Sequence, residues 1–537
     1  MSRIRTNLHH LLAQAAEQAP GSAALTYKRN TITYGDLWDT VRAAAGQLQE
    51  LGLKPGDRVA IYLEKRLELV VAMFATSVAG GVFVPINHVL KPAQVGHIVA
   101  DSGARFLVTS ADRLVQLPTV LEDGPVEQVV VVGPAAGAAS SHYRVSPLRD
   151  TIDRDTIDGE TIDRDTIDGW AEPRESAAID LDPAAILYTS GSTGKPKGVV
   201  LSHRNLVVGA ESVSTYLRNT ADDVILSILP LSFDAGLSQV TTAFSVGAHC
   251  ILMNYLLPRD VPRLCAQHGV TGITGVPPLW LQIADAVWPE EVAARVRYLA
   301  NTGGRMPRAV LDRLRGIFTN ADPYLMYGLT EAFRSTYLDP REVDRRPDSI
   351  GKAIPNAEIL VLRPDGTRCE PGEEGELVHR GALVALGYWN DPERTAERYR
   401  PVLYPGQPWR APELAVWSGD TVIADDEGFL YFVGRTDDMI KTSGYRVSPS
   451  EIEEAAYATG LVRDAVALGI EEVGIGHRIV LIATAVDGVL DTTALLTSLR
   501  QALPLYMVPS LVDVRDELPR SPNGKFDRNL MKAQVSV

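Results

Sequence analysis

Between Ala184 and His203 the chain reads AAILYTSGSTGKPKGVVLSH. Four hydroxyls (Thr189, Ser190, Ser192, Thr193), three glycines (Gly191, Gly194, Gly198) and two lysines (Lys195, Lys197) follow an apolar run. Glycines let backbone N–H groups close on an anion, hydroxyls add donors, and lysines supply counter-charge, so this loop is built for phosphate. It is not a Walker A loop, because no GxxxxGK[ST] spacing fits and Pro196 follows the first lysine. Taken singly, Glu331, Asp420 or Lys525 reads as a solvated surface charge.

A phosphate loop needs a strand before it and a sheet to hold it. RVAIYL (58–63), the helix-like ELVVAMFATSVAGG and VFVPIN (82–87) form a βαβ pattern, and similar alternation continues through much of the chain. The expected fold is α/β, with mainly parallel sheets flanked by helices. Thr33 to Asp36 has capping-box form ahead of an apolar stripe at Leu37, Val41, Ala44 and Leu48. Near Gly434 a strand-like GFLYFVGR gives way to polar TDDMIKTSGYR and then to SPSEIEEAAYA, where Ser448 or Ser450 can cap a helix starting near Glu451. The expectation is a large domain over residues 1–433 and a small α/β domain over 434–537. TIDRDTIDGE and TIDRDTIDGW follow one another, with seven acidic and two basic residues from Thr151 to Gly169. Two copies of so short a unit make no solenoid, so residues 150–170 read as a mobile, exposed insertion without a catalytic role.

The 537 residues carry 52 basic and 67 acidic side chains, a formal charge of -15, which argues against nucleic acid as a partner. Cys250, Cys265 and Cys369 show no ligand-like spacing and read as separate reduced thiols, which fits the cytoplasm. The N-terminal stretch lacks the sustained apolar core of a signal peptide. The most apolar segment, Leu69 to Val84, is broken by Thr76, Ser77 and Gly80-Gly81, so a buried helix is expected there and not a membrane span.

YTSGSTGKPKGV resembles the phosphate-binding signature of the adenylate-forming superfamily, which contains acyl-CoA synthetases, adenylation domains of nonribosomal peptide synthetases, and beetle luciferases. NTGG (301–304), YGLTEA (327–332), SGD (418–420), GRTDDMIKTSGYRVSPSEIE (434–453) and PRSPNGKFDR (519–528) follow in the family's order. The resemblance spans nearly the whole chain apart from the duplicated insert. It implies that Thr189, Ser190, Thr193 and Lys197, with Gly191, Ser192 and Gly194, hold the triphosphate of ATP. Tyr327 would stack on adenine beside Gly303, Gly304 and Gly328. Thr330 would bond the α-phosphate, Glu331 would hold Mg²⁺, and Asp420 and Arg435 would grip the ribose. Lys525 would stand between the attacking carboxylate and the α-phosphate, screening two anions from each other. Asp437 occupies the family's hinge position, and Gly444 would line a pantetheine tunnel once the mobile small domain has turned.

The acid and the thiol are less closely specified. Asp234, in LPLSFDAGLSQ, stands where amino-acid-activating members pair an aspartate with the substrate ammonium, with Phe233 and Thr302 in the same pocket. Asp234 could instead cap a helix beginning near Ala235. Arg334 could face a polar or anionic part of the acyl pocket. FDAGLSQVTTAF and NYLLPRDV look most like stand-alone ligases that load β-amino acids onto acyl carrier proteins, and also like exosortase-associated acyl-CoA ligases. No LGxxS-type attachment site follows the NGK loop, so the acceptor thiol is expected in trans, on a carrier protein or CoA. The expected reaction is adenylation of an amino acid followed by transfer to a carrier. The alternative is an acyl-CoA synthetase for a non-amino acid. No membrane partner is expected.

Overall fold

The computed structural model describes residues 4–133, 142–149, 172–174, 176–189, 196–402, 408–435, 439–472, 474–486, 488–519 and 526–535. The duplicated stretch 150–170, Ser190–Gly194, Asp437 and Lys525 therefore lie outside the described residues.

Two large sheets carry most of the described chain. In the first, Val82–Pro85, Arg58–Tyr62, Phe106–Ser110, Gln128–Val132 and Arg144–Pro147 run parallel in that order. Its other end is antiparallel, where Pro183–Thr189 pairs with Lys197–Ser202, which pairs with Gly387–Tyr388. The second sheet has a parallel half, from Ala23–Tyr27 to Asp322–Tyr327, and an antiparallel half between Thr336 and Arg435. That antiparallel half is larger than the βαβ pattern alone predicts. A third sheet is built from strands between Ile440 and Val514.

Helices fill the space between the two large sheets. Leu67–Val78 is largely apolar and buried along its whole length, with its polar Glu68 accepting from Arg66 and Thr76 donating to the Ala72 carbonyl. Its Phe74 ring lies 5.1 Å from Phe244 of the Asp234–Val246 helix, in edge-on contact. Among the described residues no helix is long and apolar enough to cross a membrane. Thr33 caps the Tyr34–Glu50 helix by accepting from the Asp36 N–H. The Asp234–Val246 helix begins one residue before Ala235, with Phe233 at its N-cap position, so Asp234 lies in its first turn and is not its cap. The Pro449–Ala458 helix starts two residues earlier than expected, and its N-cap residue Ser448 makes no side-chain capping bond.

Candidate active site

The first sheet, the second sheet and the third sheet's Tyr445 hairpin meet around one cavity of about 500 Å³. Much of its wall comes from segments that follow the carboxyl ends of parallel strands, where α/β sheets leave their crevices. Thr189, Phe233, Asp234, Thr302, Gly303, Tyr327, Gly328, Thr330, Glu331, Arg334, Asp420 and Gly444 all line it. Gly304 does not. Its carbonyl instead accepts the Asn301 side-chain amide at 2.8 Å, which ties the NTGG turn together.

The Tyr327 hydroxyl donates to the Asp420 carboxylate, so the residues expected at adenine and ribose are joined directly. Strand register sets Arg435 opposite Asp420. Thr189 Oγ1 is buried with no hydrogen-bond partner among the described residues, beside the start of the phosphate loop. A hydroxyl in that position has the chemistry to bond a phosphate oxygen.

Glu331 is buried in a short 3₁₀ turn after the Asp322–Tyr327 strand. Its Oε1 accepts from Lys197 Nζ at 3.2 Å and from the Tyr388 hydroxyl at 2.6 Å. Burial alone would raise this carboxyl, but Lys197, Arg398 and Arg446 hold it far below the usual carboxylate range. Burial in turn lowers the Lys197 ammonium, and Glu331 works against that fall. No hydrogen bond among the described residues reaches the second oxygen of Glu331. The described residues also contain no group of three or more His, Cys, Asp or Glu able to hold a metal. One buried carboxylate fits Mg²⁺ shared with phosphate oxygens and water, and does not fit a cage made of protein alone.

Asp234 and Arg334 come together on the cavity wall. Arg334 Nη1 donates to Asp234 Oδ2 at 3.1 Å, with side-chain exposures of 3% for the arginine and 15% for the aspartate. Burial raises the Asp234 carboxyl, and Arg334 opposes it. The carboxylate expected to meet a substrate ammonium thus already has a cationic partner. Sequence spacing held no sign of this, since the two residues are a hundred positions apart.

The third sheet closes the cavity. Ser443 and Gly444 both have positive φ (50° and 81°), which makes a two-residue hairpin turn. A Cβ on Gly444 would lie 2.8 Å from Val276 Cγ2. Tyr445 meets Phe233 edge-on at 5.4 Å and stacks on Tyr506 at 3.7 Å. Gln94 Nε2 donates to Glu451 Oε1 at 2.7 Å across the same seam.

A model of the AMP-binding enzyme family matches residues 12–389. The chain belongs to the AMP-binding enzyme family. It is 30% identical over 546 aligned positions to a long-chain-fatty-acid–CoA ligase of Salmonella typhimurium, covering 98% of this chain and 94% of that protein. A linear gramicidin synthase of Brevibacillus parabrevis is 28% identical over 98% of this chain, which spans 10% of that far longer protein. Among solved structures, o-succinylbenzoate CoA synthetase of Bacillus subtilis is 26% identical, with 97% of each chain covered. Bound to the product analogue OSB-NCoA it matches with a TM-score of 0.79. In complex with the acyl-adenylate OSB-AMP the score is 0.65 at the same identity and coverage. Equal coverage with unequal scores makes the difference one of geometry: the present structure lies nearer the product-analogue complex. As a family member the chain is an adenylate-forming, AMP-forming acid–thiol ligase that uses ATP.

Proposed function

We propose that the protein adenylates an amino acid, a β-amino acid being one candidate, and passes the aminoacyl group to the phosphopantetheine thiol of a separate carrier protein. The observation carrying this reading is the Asp234 carboxylate on the wall of the acyl cavity, one oxygen held by Arg334. The second oxygen is the acceptor for a substrate ammonium. Such a charge-assisted bond in a desolvated pocket is worth roughly 1.5–3 kcal/mol. Arg334 offsets the cost of burying Asp234 while the pocket is empty.

In the first half-reaction a substrate carboxylate oxygen attacks the α-phosphorus of ATP, the P–O bond to the β-phosphate breaks, and pyrophosphate leaves. The carboxylate is already ionised at pH 7, so no general base is needed. Thr189, Ser190, Thr193 and Lys197 cradle the triphosphate, and Tyr327, Gly303 and Asp420 hold the nucleoside with Arg435. Thr330 bonds the α-phosphate and Lys525 screens the two anions. Glu331 is the residue that would hold Mg²⁺, and when bound the ion neutralises part of the triphosphate charge. In the second half-reaction the thiol sulfur attacks the acyl carbonyl, its proton is lost, and AMP departs with the electron pair of the C–O bond. Asp437 is the pivot between the two, and Gly444 borders the path of the pantetheine arm. We place the protein in the cytoplasm, where pantetheine thiols are kept reduced.

The Asp234–Arg334 ion pair itself favours one other reading, a CoA ligase for an acid without an amine, because that pair leaves no net charge to be met. Pyrophosphate exchange with matched amino acids and their deaminated analogues separates the two. The amino-acid reading expects a preference for the amine of about tenfold or more that Asp234→Ala abolishes. A wild-type preference for the plain acid sinks it.

A further inference from the structure

Tyr388 has no part in the scheme above, yet it is tied to two of its main residues. The two-residue strand Gly387–Tyr388 pairs antiparallel with Lys197–Ser202, with Tyr388 opposite Val199. The next residue, Trp389, donates its N–H to the Gly198 carbonyl at 2.8 Å. This register delivers the phenol to Lys197. Lys197 Nζ lies 2.6 Å from the Tyr388 hydroxyl and 3.9 Å from the ring centroid. The same hydroxyl lies 2.6 Å from Glu331 Oε1, and Lys197 Nζ reaches that oxygen at 3.2 Å.

Only one donor pattern satisfies this triangle. The ammonium has no lone pair and the carboxylate no proton, so Lys197 donates to both oxygens and the Tyr388 O–H donates to Glu331. All three groups are buried or nearly so: 14% exposure for the lysine side chain, 2% for the glutamate and 7% for Tyr388. We propose that Tyr388 is a positioning residue of the adenylation step. Its hydroxyl clamps Lys197 to Glu331 Oε1, and so fixes which carboxylate oxygen remains for a metal-bound triphosphate. This rests on the reading of Lys197 and Glu331 as the groups that handle ATP.

The test is Tyr388→Phe in the full chain, which keeps the ring and deletes only the hydroxyl. Affinity for Mn²⁺ with a non-hydrolysable ATP analogue is read by electron paramagnetic resonance. The thermal midpoint and the rate of pyrophosphate exchange are read alongside. The proposal expects Mn²⁺–nucleotide affinity to fall about tenfold, the scale of one hydrogen bond to a charged group. It expects the thermal midpoint to stay within about 2 °C. In a Glu331→Ala background the same change should cost less than about threefold, since the clamp has already lost one jaw. Unchanged Mn²⁺–nucleotide affinity would overturn the proposal. So would a fall in affinity that is just as large in the Glu331→Ala background, because that is packing alone. A wild-type protein that exchanges no pyrophosphate with any acid defeats the ATP-handling reading instead, and the two failures are thereby told apart.

Discussion

At the scale of single residues, the chemistry turns on bringing two anions together. Lys525→Ala is expected to slow substrate-dependent pyrophosphate exchange by roughly 10²–10³-fold, the cost of losing one preorganised electrostatic contact. An unchanged exchange rate would remove this lysine from the mechanism. The motifs named Lys197, Glu331, Tyr327 and Asp420 one at a time, and the fold brings them to one place, with Lys197 bonded to Glu331 behind the cavity wall that the other three line. They could not show that Tyr327 bonds Asp420, that Arg334 neutralises Asp234, or that Tyr388 joins Lys197 to Glu331. Each of these pairs is separated by scores of residues, and no local spacing encodes such a meeting. Tyr388 did carry one signal that sequence reading passed over, a GYWN turn ahead of a proline-led helix.

At the scale of elements, the Thr442–Tyr445 turn at the cavity edge is sensitive to a single methyl group. Gly444 has φ of 81°, and its missing Cβ would stand 2.8 Å from Val276. A left-handed conformation costs an L-residue roughly 1–2 kcal/mol, before any clash is counted. Gly444→Ala should therefore weaken thioester formation at least tenfold while pyrophosphate exchange stays within about threefold. Equal losses in both half-reactions would deny this turn a special part in the second. The duplicated 150–170 stretch makes the opposite prediction. Its deletion, with Arg149 joined to residue 171 by a short glycine-serine bridge, should leave exchange within about twofold. A larger loss would give the insert a function that its composition does not suggest. Helix positions were legible because apolar periodicity and caps such as Thr33 are local. The long antiparallel stretch from Thr336 to Arg435 was less so, since strands without intervening helices carry no βαβ signature.

For the molecule as a whole, buried neutral histidines set a limit on acid stability. Burial lowers His9 and His379 to about 3, and His203 and His249 to about 4. The Leu8 N–H donates to His203 Nδ1 at 3.1 Å, a bond that needs this nitrogen bare. Below about pH 6.5 the unfolded chain binds protons at these sites and the folded chain does not. Stability is thus full above that pH and falls by about 1.4 kcal/mol per histidine per pH unit beneath it. Glu451, raised to about 7 by burial, acts in the opposite sense, because its folded form holds a proton that the unfolded form releases. Lys65, lowered to about 7 by burial, acts in the same sense as the histidines in the upper part of this range, because its unfolded form keeps a proton that the folded form releases. Five sites against one give a net loss on acidification. The urea midpoint should drop clearly between pH 7.5 and 5.5, and a constant midpoint would mean the histidines are not neutral. The family and the α/β class were readable from the order of residues alone, because a contiguous loop and short ordered motifs hold that information locally. Folding in three dimensions was needed to settle which charges are paired, which oxygen of Glu331 is already engaged, and how the Tyr445 hairpin closes on Phe233. Those depend on distances between segments that are remote along the chain, and the packing of three sheets around one cavity sets them.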